Sequence, residues 1–302
     1  MSIVICKLPK AGLGNQLFPL FKAMIFAKKN NLPLIIVGYH QINWRLLFTK
    51  VKTKRKYAGY FKFNKSLLGE GIDKLRVSYY EKRYSVIKEP KLNSEISGHN
   101  DVYEFSTISH WSDYFDELKE NREDVILLMQ SILKSSVIDL LNKQIPPIIG
   151  VHIRMGDFRK LKEGEDFRKV GGVRTPEDYF VDIVQKIREI NGKDLPVTVF
   201  SDGYIHEFEN LFSLGNIKLM EGNPDIVDLL LLSKSKIIIT SAGSTFSYWA
   251  GFLSDTPMIM HPDHIHKSIR PDTVNSNFYE GYMDLYNPNG LFVTNIKGIL
   301  HE

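Results

Sequence analysis

Apolar residues fall into two kinds of run along this chain. Ser2 to Leu8, Leu34 to Val37, Ile145 to Val151, Val197 to Phe200, Ile217 to Met220, Lys236 to Thr240 and Pro257 to His261 are short, nearly continuous and rich in β-branched residues, which predicts buried strands. Leu17 to Asn30, Asp116 to Leu141, Asp225 to Ser233 and Phe246 to Leu253 instead carry apolar residues at helical spacing, as with Leu118, Val125, Leu128 and Ile132 on one face. Another helix is predicted to run to about Ile190, with Thr175 as N-cap, Pro176 in the first position and Asp178 in the first turn. Strands alternating with helices imply α/β folding around parallel, doubly wound sheets. Residues 41–100 are irregular and aromatic-rich, and short strands with one helix are expected around Lys65 to Leu75 and Val77 to Ile87. The pair Pro146-Pro147 marks the best boundary, dividing the chain into domains at 1–145 and 146–302. No internal repeat or low-complexity segment interrupts this pattern.

A chain of 302 residues is long enough for both domains to bury a core. The net charge of +4 is too mild to argue for nucleic acid. Its excess is uneven, since Lys50 to Lys65 holds seven Lys or Arg and no acid. That stretch reads either as a solvated basic face or as a patch for anionic lipid or an acidic glycan. The single cysteine, Cys6, allows no intrachain disulfide, which fits a reducing compartment. The N-terminus lacks a basic start and an apolar signal region, and no apolar run approaches the roughly 18 residues of a membrane helix. The expectation is a cytoplasmic protein, with peripheral membrane contact through residues 50–65 as the further possibility.

Candidate chemistry concentrates where strands end. The strand ending near Val151 runs into His152-Ile153-Arg154-Met155-Gly156-Asp157-Phe158. Alternation puts His152 and Arg154 on one face, with Gly156 where a turn is expected. The carboxyl end of a parallel sheet is where ligands bind, and a guanidinium there suits a diphosphate. Asp157 and His152 are the candidate bases. Ser201-Asp202-Gly203 and Thr240-Ser241-Ala242-Gly243-Ser244-Thr245-Phe246 end two further strands. Ser244 and Thr245 open a helix, either as caps or as a phosphate site, and Asp202 is either a turn residue or a partner for ribose hydroxyls or base N–H groups. In the first half, Gly12-Leu13-Gly14-Asn15-Gln16 follows a strand without the dinucleotide register, and Asn15 and Gln16 either start the helix or meet a ligand. His110-Trp111-Ser112-Asp113-Tyr114-Phe115 reads as core packing or as a sugar-stacking wall. His261, Asp263, His264 and His266 fit no tetrahedral metal spacing and read as a surface loop.

Four ordered motifs resemble those of the α-1,2-fucosyltransferases of glycosyltransferase family 11. They are Gly12-Leu13-Gly14-Asn15-Gln16-Leu17-Phe18, His152-x-Arg154-x-x-Asp157, Phe200-Ser201-Asp202 and Ser244-Thr245-Phe246-Ser247-Tyr248-Trp249, and Asp228 matches an acidic position of the same family. The resemblance implies a GT-B fold, two Rossmann-like domains with parallel sheets facing a cleft, the first binding acceptor and the second GDP-sugar. It implies GDP-β-L-fucose as donor, inversion, no metal or other cofactor, and a galactoside, oligosaccharide or lipid-linked acceptor in surface-glycan or O-antigen synthesis. The implied catalytic residues are Arg154, His152 and Asp157. Donor contacts are expected from Arg154, Asp202, Ser244, Thr245, Phe246, Asp228, Gly14 and Asn15, and acceptor contacts from Asn15, Gln16 and Trp111. Met155 stands where many relatives have a second arginine, and Gly203 where many have an acid, so Arg159, Lys160 or Arg174 would share the diphosphate charge. The alternatives are a related transferase with another linkage or GDP-sugar, and a non-catalytic module that binds nucleotide-sugar or glycan.

Overall fold

The computed structural model describes residues 2–40, 57–96, 100–110, 113–264 and 267–299. The chain forms two compact units, one reaching Ile138 and one starting at Asp139. The division falls inside a helix, seven residues before Pro146.

The first unit contains β1 (Ile3–Lys7), α1 (Leu13–Lys29), β2 (Leu34–Val37), α2 (Leu67–Arg83), β3 (Ser85–Lys88), β4 (Asp101–Phe105), α3 (Arg122–Ile132) and the start of α4 (Ser135–Asn142). Its sheet is parallel throughout, in the order β2-β1-β4-β3. The expected βαβ unit is there, and β3 and β4 join it from the stretch where the sequence pattern was weakest. Ile3, Ile5, Ile35, Val37 and Val102 pack with Val77 of α2 on one side of this sheet. Helix α1 begins four residues earlier than its apolar spacing suggests, at Leu13, whose N–H donates to the buried Tyr57 hydroxyl at 3.1 Å. Its first turn, Leu13-Gly14-Asn15-Gln16, holds one large apolar residue and so lacks apolar spacing, and Pro19 lies inside the helix. The long helix expected from Asp116 to Leu141 is instead split into α3 and α4. The segment Tyr60–Lys62 bridges to it: Lys62 N–H donates to the Ile132 carbonyl and Lys134 N–H to the Tyr60 carbonyl, which pulls Leu133 into extended backbone. Cys6 is fully buried, and burial pushes its thiol pKa up, as befits a core residue.

The second unit contains the end of α4, β5 (Ile149–Ile153), α5 (Glu177–Asn191), β6 (Val197–Ser201), α6 (Glu209–Ser213), β7 (Ile217–Leu219), α7 (Asp225–Ser233), β8 (Ile237–Ile239), α8 (Thr245–Leu253), β9 (Met258–Ile259), α9 (Asp272–Asn275), β10 (Glu280–Gly281) and α10 (Gly290–Gly298). The sheet order is β10-β9-β8-β5-β6-β7, again all parallel, with β5 central. Along β5 the side chains alternate as period two requires. Ile149, Val151, Ile153 and then Met155 join Phe180, Ile183 and Ile187 of α5 and Phe292 and Ile296 of α10. On the other face Gly150 admits Leu232 and Ser235, and a Cβ there would stand 2.2 Å from the Ser235 hydroxyl. Helices α7 and α8 therefore cover the His152 face. Arg270, fully buried, is satisfied by Glu280, Asn275 and the carbonyls of Thr256, Phe278 and Tyr279, which ties the last strand to the sheet. Among the described residues no helix is long and apolar enough to cross a membrane.

Candidate active site

The second unit's sheet opens at the carboxyl end of β5. Pairing with β6 continues to Ile153 opposite Ser201, but pairing with β8 stops at Val151 opposite Ile239. Two serine hydroxyls take over from the ladder. Ser241 Oγ, fully buried, donates to the His152 carbonyl at 2.7 Å and accepts from the Arg154 N–H at 2.8 Å. Ser201 Oγ donates to the Ile153 carbonyl at 2.7 Å and accepts from the Gly203 N–H at 3.0 Å. A hydroxyl can donate and accept at once, so each serine keeps backbone groups paired while the strands diverge.

Arg154 sits in that opening. One guanidinium nitrogen, Nη1, donates to Asp202, and the other, Nη2, donates to the half-exposed Asp157. The Phe158 ring lies 5.6 Å from its Cζ, within cation–π range. The other Asp202 oxygen accepts from the Met155 N–H at 2.8 Å. Asp202 is thereby spent on fixing Arg154 and the chain after it, rather than standing clear for a ribose or base. Gly156 passes so close that a Cβ would meet Asp202 Oδ2 at 2.2 Å. Gly156 and Asp157 form the turn expected from sequence, closed by the Phe158 N–H donating to the Met155 carbonyl at 2.8 Å; since φ is not in the left-handed region, it is the close approach that requires glycine.

His152 is buried and its ring stacks on Phe246 at 4.9 Å between centroids, joining β5 to α8. Burial, and secondarily the neighbouring Arg154 charge, lower its pKa to about 3. The imidazole is therefore neutral at ordinary pH and a poor proton acceptor, which counts against its expected role as base. Its Nδ1 is buried with no hydrogen-bond partner among the described residues.

Ser244 is the N-cap of α8, but its side chain does not cap the helix. The loop before it is held otherwise. Ala242 N–H donates to Thr175 Oγ1 at 2.9 Å and Gly243 N–H to the Tyr248 hydroxyl at 2.9 Å, with Gly243 at φ +66°. Thr175 was expected to cap α5, and Pro176 takes that position in its place. The first-turn N–H groups of a helix have no intrahelical acceptor, so Thr245 and Phe246 open a donor-rich end. Asp228 lies in the first turn of the adjacent helix α7. Its carboxylate accepts from Asn223 Nδ2 at 3.0 Å, yet burial, reinforced by Asp225, raises its pKa to about 7.

The residues expected from the first half sit in the first unit. Gln16 is buried and its amide is spent on the carbonyls of Pro9 and Ala11, both at 3.2 Å, stapling the glycine loop. Asn15 Oδ1 is buried without a hydrogen-bond partner among the described residues, and Gly14 lies in the same helical turn. Gly12, not Asn15, is the N-cap. Tyr114 and Phe115 pack on Phe18 with centroids 5.1 and 5.0 Å apart, which is core packing. Trp111 lies outside the described residues, as do His266 and residues 50–56 of the basic run. His261 is buried among Phe167, Tyr179 and His264 and is not a surface-loop residue. Among the described residues no three His, Cys, Asp or Glu side chains gather as metal ligands.

Ser201, Ser241 and Phe158 belong to this site and had no assigned role in the sequence. Their only signal was position, directly at the ends of β6 and β8 and after the Arg154 segment. The assembled chemistry is a guanidinium locked in place beside an uncapped helix start, at the edge of a parallel sheet where ligands bind. It can take the charge of an anionic leaving group.

No curated protein sequence is significantly similar to the chain. Among solved structures, the NodZ α-1,6-fucosyltransferase co-crystallized with GDP superposes with a TM-score of 0.52 at 15% identity, over 86% of this chain and 95% of that one. The fucosyltransferase NodZ from Bradyrhizobium gives 0.51 at 15% identity, over 87% and 97%. At such identities the likeness is one of fold, the GT-B arrangement of two parallel-sheet α/β units. The sequence model of glycosyl transferase family 11 matches residues 73–276, most of α2 through α9. With Arg154, Asp202 and the start of α8 all inside that match, the chain belongs to glycosyltransferase family 11.

Proposed function

We propose that the chain transfers L-fucose from GDP-β-L-fucose to a hydroxyl of an oligosaccharide or lipid-linked glycan, with inversion and without a metal ion. The acceptor oxygen proposed is O2 of a terminal galactoside. The observation that carries this reading is Arg154, clamped between two carboxylates at the sheet edge beside an uncapped helix start. The acceptor oxygen attacks the anomeric carbon, and the bond to phosphate breaks with its electron pair staying on GDP. Arg154 and the first-turn N–H groups at Thr245 and Phe246 neutralise that charge, the task a metal performs elsewhere. An oxocarbenium-like transition state needs only a weak base, so the acceptor proton passes to the half-exposed Asp157 or to solvent water as the new glycosidic bond forms. Asp157, engaged with Arg154, serves first to orient the guanidinium. Asp228 is a donor contact, Asn15 a contact for sugar. NodZ, which shares the fold, has been soaked with GDP-fucose, which supports the choice of donor.

The rival reading, a binding module that has lost transfer, drew on Met155. Its side chain points away from Arg154, into the α5 core and a cavity of about 620 Å3 lined also by Lys160, Arg174 and Phe208. A Cβ on Gly203 would stand 2.8 Å from Met155 Cγ, so the two departures from the family pattern fit each other. Neither removes a charge from the Arg154 cluster. Arg159 and Arg174 are paired with Glu165 and Glu207, outside the Arg154 cluster.

The test is incubation with GDP-fucose, alone and with β-galactosides, with and without EDTA, followed by linkage analysis. Slow GDP release that a galactoside accelerates, unchanged by EDTA, with an α-1,2 product, is expected. Binding without GDP release would establish the module. Loss in EDTA overturns the metal-free mechanism, and another linkage overturns the acceptor position alone.

A further inference from the structure

Helix α2 carries a surface that its fold leaves uncovered. Leu68, Ile72, Leu75 and Tyr79 are 76%, 52%, 73% and 57% exposed, with Leu67 beside them at 68%. Spaced four, three and four apart, Leu68 to Tyr79 fall on one stripe of the helix. Isolated exposed leucines are ordinary, but an aligned row of four large apolar side chains, with a fifth beside it, marks an interaction site.

The charges on α2 are sorted by sign. Its acids all turn toward the body of the first unit. Glu70 is buried and accepts from the Gly38 and His40 N–H groups at 2.8 and 2.9 Å. Asp73 is buried against Lys65 and Arg76, and Glu81 pairs with Lys7 of β1. Beside the stripe stand Lys82 and Arg83, both exposed, with Arg76 already paired to Asp73, and no acid faces outward there. The sequence entering the helix, Lys50 to Lys65, is also basic throughout.

We propose that the outer face of α2 docks the protein on an anionic lipid surface. The helix lies flat, its leucines and Tyr79 dipping into the acyl boundary and its lysines and arginines meeting the headgroups, as an interfacial amphipathic helix does. The four-three spacing would also suit a helix of a second copy. Such a pair finds no acid on this face to meet Lys82 and Arg83, whereas an anionic membrane supplies the missing charge. The dock is independent of the transfer chemistry, because none of its residues belongs to the Arg154 site.

Flotation of the full chain with glycan-free vesicles tests the proposal. The protein should float with phosphatidylcholine vesicles that contain phosphatidylglycerol and not with phosphatidylcholine alone, and added salt should release it. Lys82→Gln with Arg83→Gln should lower partitioning roughly twenty-five-fold, the product of about fivefold for each charge. Leu68→Ser with Leu75→Ser should abolish flotation, while transfer to a soluble galactoside stays unchanged. Three results overturn the dock: wild type that ignores phosphatidylglycerol, a leucine variant that floats like wild type, or a sedimenting dimer that the leucine variant dissolves. Since the vesicles carry no glycan, failure here leaves the fucosyl-transfer reading standing, and failure of that reading leaves the flotation result intact.

Discussion

Arg154 is held by Asp157 and Asp202, and the two carboxylates differ in what they risk. Asp157 is half exposed, so its pair with Arg154 is screened and worth little to stability. Asp202 is nearly buried, and removing its cation leaves a charge with poor solvation. Arg154→Ala should therefore abolish transfer, weaken GDP binding by about 1.5–3 kcal/mol, and lower the stability of the second unit as well. Isothermal titration with GDP and a urea melt separate the two effects, and near-normal turnover would end the phosphate role. Ser241→Ala should act differently. It strands the His152 carbonyl and the Arg154 N–H, costing about 1–3 kcal/mol of stability, and it lets the strand tip move. The expected signature is a fall in kcat larger than any rise in KM for donor, with Ser241→Thr recovering most of it; equal effects of Ala and Thr would show that the hydroxyl does not position the tip. Asp228 gives a pH prediction. With its pKa near 7, it is half protonated at neutrality, and the carboxylate accepts N–H groups of a donor more strongly, and through both oxygens, than the protonated acid does. Donor affinity should rise between about pH 6 and 8 and lose that rise in Asp228→Asn; a flat wild-type profile would remove Asp228 from the donor site.

At the scale of elements, β5 and α8 are joined by His152 on Phe246, and that contact is proton-sensitive. The folded imidazole titrates near 3, the unfolded one near 6.5, so the unfolded chain binds the proton first. Stability is then complete above 6.5 and falls as pH drops toward 3, by up to about 1.4 kcal/mol for each pH unit. His261, lowered to about 4 by burial, adds to the slope over the upper part of that window. Urea midpoints measured against pH should show the fall, and His152→Gln should flatten it without erasing the part due to His261. A slope equal in both proteins would assign the effect elsewhere. The same elements show what can be read from sequence. The strands of the second sheet from β5 to β9 were legible because buried parallel strands are short, β-branched and separated by helices. Asp202 and Gly156 were legible as residues but not as partners, since a close approach between two loops leaves no periodic trace. Strand β3 was placed only loosely, among the short strands expected up to Ile87, because Ser85–Lys88 is half polar, and β4 was missed because Asp101–Phe105 follows an irregular, aromatic stretch. The break between α3 and α4 was invisible because its cause, the Tyr60–Lys62 segment, lies far away in sequence.

At the scale of the whole molecule, the chain holds two units with separate cores, one built on Ile3, Ile5 and Val77 and one on Val151, Ile153 and Phe180. Every residue assigned to the diphosphate belongs to the second, whereas Asn15, with its unpartnered oxygen, belongs to the first. GDP lacks the sugar, so its binding should draw on the second unit alone. Separate cores make multi-step unfolding the expectation, and a ligand stabilises only the unit whose folded form binds it. At a hundred times its Kd, GDP contributes about 2.7 kcal/mol, which for a unit of this size raises its melting temperature by roughly 5–10 °C. Calorimetry should show one transition moved by GDP and another left in place. Arg154→Ala should remove the shift, and Asn15→Ala should preserve it while lowering transfer. If GDP moves both transitions equally, or if Asn15→Ala removes the shift, then nucleotide binding is shared by both units and the assignment of the diphosphate to the Arg154 cluster alone fails.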